Sequence, residues 1–248
     1  MIRFVENANL PESKVAAVIC GELCSELNSY LDSINVERLL IEPNKYVDPA
    51  VSFHADMAAI HLGADKLIVD RSQRRLASLL TEKGFSVLFS NEPIKGEYPK
   101  DIALNFTVIA DKVFGNFSYA DKTLTEQISA FKTVNVKQGY CKCSCLVVNE
   151  SAIITDDRTI YDNALKNGLD SLFISKGDIL LGGHDYGFIG GASCKISQNE
   201  ILFFGDITGH RDYKKIAAFI EKHGCRIISL NFPLTDFGGI IPITEKAP

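Results

Sequence analysis

The sequence has no long hydrophobic run, no apolar leader and no excess of positive charge. Apolar runs such as Val15–Cys20 are strand-length, far below the roughly 18 residues that cross a bilayer. The first residues, MIRFVENANLPES, lack the basic start and apolar stretch of a secretion signal. Lys and Arg are scattered in a chain of net charge -5, so no basic patch faces a phosphate backbone. We therefore expect a cytoplasmic protein with neither a membrane nor a nucleic-acid partner.

Glycine-rich nucleotide loops are also missing. Neither GxGxxG nor GxxxxGK[ST] occurs at the end of a predicted strand, and we expect no cofactor. The seven cysteines are an odd number in a chain too large to need disulfides, which favours reduced thiols. With 46% hydrophobic and 23% charged residues, the composition is that of a globular protein with a sizeable core.

One pattern recurs along the chain: an apolar strand, a tight polar turn and a second apolar strand. Full copies span 54–69, 100–115, 140–155 and 188–205, and a shorter fifth copy spans 236–244. Polar residues with local hydrogen-bonding capacity between two β-branched runs predict hairpins. The sequence therefore predicts a repeat protein.

A helix and a further strand are predicted between successive hairpins. Ser72, Thr123 and Thr159 are predicted N-caps, and helical stripes in 23–34 and 213–220 add two more helices. Short strands follow at 36–41, 85–89, 133–137, 171–175 and 226–230, and we expect 14–20 to pair back onto the last unit. Residues 1–248 are thus predicted to form one domain, a five-fold pseudo-symmetric α/β propeller. The alternative is an open α/β sheet with antiparallel excursions.

This plan resembles the guanidino-group-modifying, or pentein, superfamily. The segments FHADM, KCSCLVVNESAIITDD and DYGFIGGASCKI are similar to an uncharacterised bacterial family of that fold. The superfamily includes arginine deiminase, agmatine deiminase, dimethylarginine dimethylaminohydrolase and the amidinotransferases. The same propeller also serves without catalysis in the anti-association factor of the large ribosomal subunit. The resemblance covers nearly the whole chain.

The resemblance also implies a chemistry. In the enzymes of this superfamily, an acidic residue binds the guanidinium. A His-x-Asp pair supplies acid-base chemistry and a second carboxylate contact, and a cysteine near the C-terminus attacks the guanidinium carbon. Here His54 and Asp56 supply a His-x-Asp, in a different repeat from that of the deiminases, and strand alternation predicts that both share one face. At the C-terminus, Ile241 and Pro242 stand where the resemblance places a His-Cys pair.

Because the expected C-terminal cysteine is missing, a nucleophilic cysteine, if the chain has one, must lie elsewhere. Cys141, Cys143 and Cys145 alternate along one predicted strand, too far apart along a line to ligate one metal ion, and we expect no metal. Buried cysteines usually pack as small hydrophobes. Cys194 follows a Gly-Gly pair similar to the hydrolase segment and is interpreted as a core residue. Cys143 is the preferred candidate nucleophile.

Further polar residues stand at the start of the predicted hairpins or just outside them. Pseudo-symmetry predicts that those at the hairpin starts converge on a central pore with Asp56, as a ligand site or as a buried salt-bridge cluster that plugs the pore. The candidate ligand-binding residues are Asp101, Asn105, Lys142, His184, Asp185 and Asp236. One interpretation places His184 and Asp185 in a loop that covers the pore. In the other, Asp185 and Asp236 only stabilise turns.

Two functions remain. The first is an enzyme or degenerate enzyme for a small guanidino or amino-acid-like molecule, with His54, Asp56 and Cys143 as catalytic residues. The second is a non-catalytic propeller that acts as a protein-binding or structural module. The partner expected is a small-molecule ligand, and self-association into a homo-oligomer stays open.

Overall fold

The computed structural model describes residues 1–247, which form five small sheets. The strands are β1 (Ile2–Phe4), β2 (Val15–Cys20), β3 (Glu37–Leu40), β4 (Ala59–Gly63), β5 (Lys66–Val69), β6 (Ser86–Phe89), β7 (Thr107–Ile109), β8 (Lys112–Gly115), β9 (Lys132–Asn135), β10 (Cys145–Asn149), β11 (Ala152–Thr155), β12 (Asp170–Phe173), β13 (Ser193–Ser197), β14 (Glu200–Phe203), β15 (Arg226–Ile228) and β16 (Ile241–Lys246). Each of the four predicted hairpins is present, and the strand predicted after each helix is found within two residues of its place.

Helices connect the strands. They are α1 (Ser25–Ser33), α2 (Ala55–Ala58), α3 (Arg74–Glu82), α4 (Lys122–Gln127), α5 (Arg158–Lys166) and α6 (Tyr213–Lys222). The predicted apolar stripes face inward, as in α3, where Leu76 and Leu80 are fully buried. Each buried leucine of this kind contributes roughly 2 kcal/mol. Among residues 1–247, no helix is both long enough and apolar enough to cross a membrane.

The predicted N-caps are wrong by one or two residues. The helices begin after Gln73, Asp121 and Asp157 rather than at Ser72, Thr123 and Thr159. A carboxylate placed before the first turn reaches the free backbone N–H groups there. The Asp157 side chain accepts from the backbone N–H of both Thr159 and Ile160, so the threonine lies inside the helix.

Every unit repeats one topology. An antiparallel hairpin is followed by a helix that returns the chain to a third strand, which pairs parallel to the second strand of the hairpin. In the first full unit Ile60 faces Ile68 across the hairpin, and Ile68 faces Leu88 in the parallel pair. The third strands form the outer edges, and the first strands lie nearest the axis.

The chain termini complete the fifth sheet. β16 pairs antiparallel with β2, with Ile241 opposite Ile19, and β2 pairs parallel with β3. β1 adds to the other side of β16. The predicted return of residues 14–20 onto the last unit is therefore confirmed.

Packing closes the five sheets into a ring. The core forms five hydrophobic clusters, and each contains residues from two neighbouring sheets. One cluster joins Ile19 of β2 to Val69 of β5, and another joins Cys20 of β2 to Leu202 of β14. Because every sheet shares a cluster with the sheet on each side, the fold is a closed α/β propeller, as the sequence predicts, and not an open sheet.

Candidate functional site

The segments just before the first strands of the hairpins meet near the propeller axis. His54 and Asp56 lie in the first of them, but not on a strand: His54 is the N-cap of α2, and Asp56 is inside it. The prediction that strand alternation puts them on one face is therefore wrong. The segment still contacts the last unit, because the Asp56 N–H donates to Gly238 O at 3.1 Å.

Gly238 allows this approach. Its φ is +76°, a left-handed conformation, and a Cβ there would lie 2.2 Å from the Cβ of His54. Only glycine adopts such a conformation with no steric cost and leaves room for the imidazole. The glycines of the last unit thus position His54.

Cys143 reaches the axis from the third unit, again not from a strand. Residues 141–144 form a turn in which Ser144 N–H donates to Tyr140 O at 2.9 Å, and β10 begins only at Cys145. The prediction that Cys141, Cys143 and Cys145 share one strand face is wrong. Alternation cannot be extended into a segment that coils before its strand begins.

Asn105 fixes these pieces relative to one another. Its Nδ2 donates to Asp56 O at 3.1 Å and lies 3.2 Å from both Met57 Sδ and Cys143 Sγ. Its Oδ1 accepts from Lys142 N–H at 2.8 Å. We expected Asn105 to contact a ligand. Its side-chain amide instead contacts protein groups of the first and third units, so Asn105 positions the residues around it.

His54, Asp56 and Cys143 are brought together by this arrangement. One donor atom from each residue lies within 4.8 Å of the other two. All three residues are buried. Neither carboxylate oxygen of Asp56 nor Nδ1 of His54 makes a hydrogen bond of ordinary geometry, and the Cys143 thiol is a weak donor close enough to Asp56 to lower the pKa of its carboxyl. Buried polar groups are normally paired, so these atoms keep hydrogen-bonding capacity that other protein groups do not use. The same donors could also hold a metal ion, and the expectation of no metal stays a prediction.

Burial sets the protonation of the cluster. It raises the pKa of Asp56 to about 6, against the opposing effect of the positive charges of His54 and Lys142. Burial also raises the pKa of the Cys143 thiol well above its ordinary value, and the negative charges of Asp56 and Asp236 add to the effect. The thiol therefore keeps its proton near neutral pH.

A cavity of about 220 Å³ opens onto His54 and Cys143, and Asp56 lies behind these two residues, outside the lining. Its lining residues are Asp48, Val51, His54, Tyr140, Cys143, Leu181, His184, Asp185, Tyr186, Phe188 and Asp236. Four of them, His54, Tyr140, Phe188 and Asp236, stand five residues before the first hairpin strand of their own units. This repeat position was the sequence signal that could have found Tyr140 and Phe188, which we did not predict.

Two of the predicted loop residues lie at the cavity mouth. His184 Nε2 is 3.2 Å from Asp48 Oδ2, and both side chains are about half exposed. Asp185 lies beside them and is exposed. Asp48 was not predicted, since nothing in the spacing of residues 43–54 relates that loop to the repeat. Its Oδ1 accepts from Ala50 N–H, an ordinary capping contact.

The other predicted ligand residues are placed differently. Asp236 lines the cavity, but its carboxylate accepts from Gly238 N–H at 2.8 Å and Phe188 N–H at 2.9 Å. Asp101 is not in the lining, and it accepts from the Tyr140 hydroxyl at 2.7 Å, with its pKa raised by burial. Lys142 lines a separate, small cavity with Cys194, and its charge lowers the pKa of Asp56.

The family of this chain is shown by its match to a family model. A family model described as "Family of unknown function (DUF6873)" matches residues 18–241. The chain belongs to this family. Among curated proteins no match is found.

Solved structures give the fold. The chain is similar to SxtG, an amidinotransferase from Microseira wollei in the saxitoxin biosynthetic pathway, with a TM-score of 0.61 and 11% identity over 98% of both chains. Inosamine-phosphate amidinotransferase StrB1 from Streptomyces griseus gives a TM-score of 0.63 and 11% identity over 99% of this chain and 98% of that one. C. jejuni agmatine deiminase with substrate bound gives 0.55 and 12% over 93% and 91%. The DUF6873 chain therefore has the pentein fold.

Proposed function

We propose that the chain binds a guanidino or related amidino cation in the 220 Å³ cavity and modifies it with Cys143 as the nucleophile. The observation that carries this proposal is the cluster itself. A thiol, an imidazole and an unpaired buried carboxylate lie within 4.8 Å of one another where the cavity meets the axis. A nucleophile, a proton carrier and an anion for the substrate are the groups that the reaction needs.

Each residue has a distinct role in this proposal. The two free oxygens of Asp56 accept hydrogen bonds from the donors of the planar cation, a pairing that fits a carboxylate bidentately. The rings of Tyr140 and Phe188 form apolar walls that can stack against that plane. His54 moves the proton, as histidine side chains do near neutral pH.

The covalent step can be written with its bonds balanced. The Cys143 sulfur forms a bond to the amidino carbon, and one carbon–nitrogen bond breaks. His54 takes the proton that the Cys143 thiol loses and delivers it to the departing amine. The amidino group then stays on sulfur until water, or an acceptor amine, attacks the same carbon and restores the thiol.

The bound cation also activates the thiol. The pKa of Cys143 is raised by burial and by the negative charges of Asp56 and Asp236. A cation placed between these groups opposes both charges and favours the thiolate. Cys143 is therefore reactive when the substrate is present and inert towards neutral reagents when it is absent.

One observation favours a second candidate function. The same raised pKa of Cys143 is what a packed, unreactive cysteine would show. A propeller that only binds a ligand, or that acts as a protein-binding module, needs no thiolate. This candidate predicts ligand binding, or partner binding, without turnover.

A thermal-shift titration with guanidino compounds tests the proposal. Binding to the folded state raises the melting temperature in proportion to the logarithm of concentration over affinity. We expect a shift that Asp56→Asn abolishes and that Asp156→Asn, a matched control, preserves. Asp156 is a buried carboxylate with a pKa also raised to about 6, and it is not part of the cluster of His54, Asp56 and Cys143.

Turnover separates the two candidates. Release of ammonia or an amine from a compound that gives a shift, lost in Cys143→Ser but retained in Cys24→Ser, supports the enzyme. A shift without product, unchanged in Cys143→Ser, supports a binding protein. If no guanidino compound shifts the melting temperature of the native chain, the proposed function is wrong.

A further inference from the structure

The mouth of the cavity carries negative charge and no permanent positive charge. Three of the lining residues are aspartates, Asp48, Asp185 and Asp236, and none is lysine or arginine. The only other titratable groups in the lining are two histidines, two tyrosines and the Cys143 thiol. A ligand whose guanidino group reaches Asp56 therefore extends its other end towards carboxylates.

The three aspartates of the lining differ in their hydrogen-bond partners. Asp236 is committed to two backbone N–H groups. Asp48 holds Ala50 N–H with one oxygen and faces His184 with the other. Asp185 is exposed at the same mouth, one residue from His184. Asp48 and Asp185 thus present acceptor oxygens to a group that arrives at the mouth from inside the cavity.

Lys176 and Lys142 do not belong to the lining of this cavity. Lys176 stands against the ring of Tyr186, with Nζ 5.7 Å from its centroid, and is not part of the lining. Lys142 lines the separate small cavity. A carboxylate on the outer end of a ligand would meet Asp48 and Asp185 with only His184 to offset the repulsion.

The size of the cavity limits the ligand. A volume of about 220 Å³ corresponds to about seven liquid water molecules. That space takes a guanidino group, a short aliphatic chain and one small terminal group. The apolar side chains of Val51 and Leu181 line the cavity and suit the chain portion.

We propose that Asp48 and Asp185 form a subsite for a terminal amine, so that the substrate is a dication: a short guanidinoalkylamine rather than a guanidino acid. This inference rests on the proposed function, since it assumes that the guanidino end lies at Asp56. The cluster of His54, Asp56 and Cys143 specifies only the guanidino end of the substrate, whereas this subsite specifies the charge of the other end.

Three ligands of equal chain length test the subsite by isothermal titration calorimetry at pH 7.5. Agmatine ends in an amine, butylguanidine in a methyl group and guanidinobutanoate in a carboxylate. We expect agmatine to bind about tenfold more tightly than butylguanidine, and guanidinobutanoate to bind most weakly. Exposed charge pairs contribute about a two- to fivefold effect each, and two aspartates act together.

Variants assign the effect to the two residues. Asp48→Asn keeps the capping oxygen, and Asp185→Asn is nearly isosteric. Each should reduce the ratio of agmatine to butylguanidine affinity by two- to fivefold. Asp162→Asn, which changes an aspartate on α5, is the matched control and should leave the ratio unchanged.

The outcomes separate the two proposals. If guanidinobutanoate binds as tightly as agmatine in the native chain, or if both variants keep the native ratio, the amine subsite is wrong while the guanidino site stands. If none of the three ligands binds with a dependence on Asp56, the proposed function itself is overturned.

Discussion

Replacing Asp56 with asparagine should stabilise the protein at neutral pH. Burial raises the pKa of this carboxyl to about 6 from an ordinary 3.8, a difference of about two pH units. The folded chain therefore binds the proton more tightly than the unfolded chain, and stability falls as pH rises from about 4 to about 6. Each pH unit corresponds to about 1.4 kcal/mol, so the ionised group costs about 3 kcal/mol at pH 7.5. Asparagine keeps the shape and removes that cost.

Urea unfolding at several pH values measures the difference. At pH 7.5 we expect Asp56→Asn to exceed the native protein by about 3 kcal/mol, or by about 6 to 12 °C in melting temperature for a chain of this size. Near pH 4 the two proteins should have equal stability. Asp156, with a pKa also about 6, contributes the same slope to both proteins and cancels in the difference.

A substitution at a helix cap serves as the control for the stability measurement. Asp157→Ala removes the N-cap contacts of α5 and should destabilise the chain by about 1 kcal/mol. If Asp56→Asn is less stable than the native protein at pH 7.5, the carboxylate is paired in the folded state. The unused hydrogen-bonding capacity on which the ligand site depends would then not exist.

Three further substitutions probe how the site is held. Gly238→Ala adds a Cβ 2.2 Å from that of His54 at a φ of +76° and should cost about 3 kcal/mol in urea unfolding; an undiminished stability would mean that the two segments separate easily. Asn105→Ala leaves buried backbone groups unpaired and should cost about 2 kcal/mol while abolishing the ligand-induced thermal shift; a preserved shift would show that the amide does not position the site. Arg3→Ala removes the cation that lies 2.8 Å from the buried Glu245 carboxylate and should lower the stability in urea unfolding, partly restored by Arg3→Lys; no loss would mean that β1 does not stabilise the ring.

The architecture could be predicted from the sequence because each unit carries its own local signals. Alternating apolar runs around short polar turns gave β4–β5 and β10–β11, and stripes such as Leu76 and Leu80 gave the helices. The same signals repeat five times, and closure follows since each unit buries its apolar face only against neighbours.

The sequence selects residues that the fold brings together, but it does not give their backbone conformation, and the roles of these residues stay predictions. His54, Asp56 and Cys143 stand out by chemical type, but alternation was extended too far towards the N-terminus of each hairpin. The coiled segments before β4 and β10 are set by contacts to other units, such as Asp56 N–H to Gly238 O. Local periodicity contains no information about such partners. Asp48 escaped prediction for the same reason, since only the folded ring brings its loop to the cavity.

The reaction of Cys143 with 2-chloroacetamidine, compared with neutral 2-chloroacetamide, tests the central claim most directly. The first reagent is a planar cation with an alkylating carbon, and the second is its uncharged counterpart. Intact and peptide mass spectrometry at pH 7.5 should show one adduct, on Cys143, formed at least about tenfold faster by the cation, which corresponds to about 1.4 kcal/mol of barrier. Asp56→Asn should remove that preference. Equal rates for the two reagents, or labelling only at the partly exposed Cys24, would contradict a cation site beside a nucleophilic thiol.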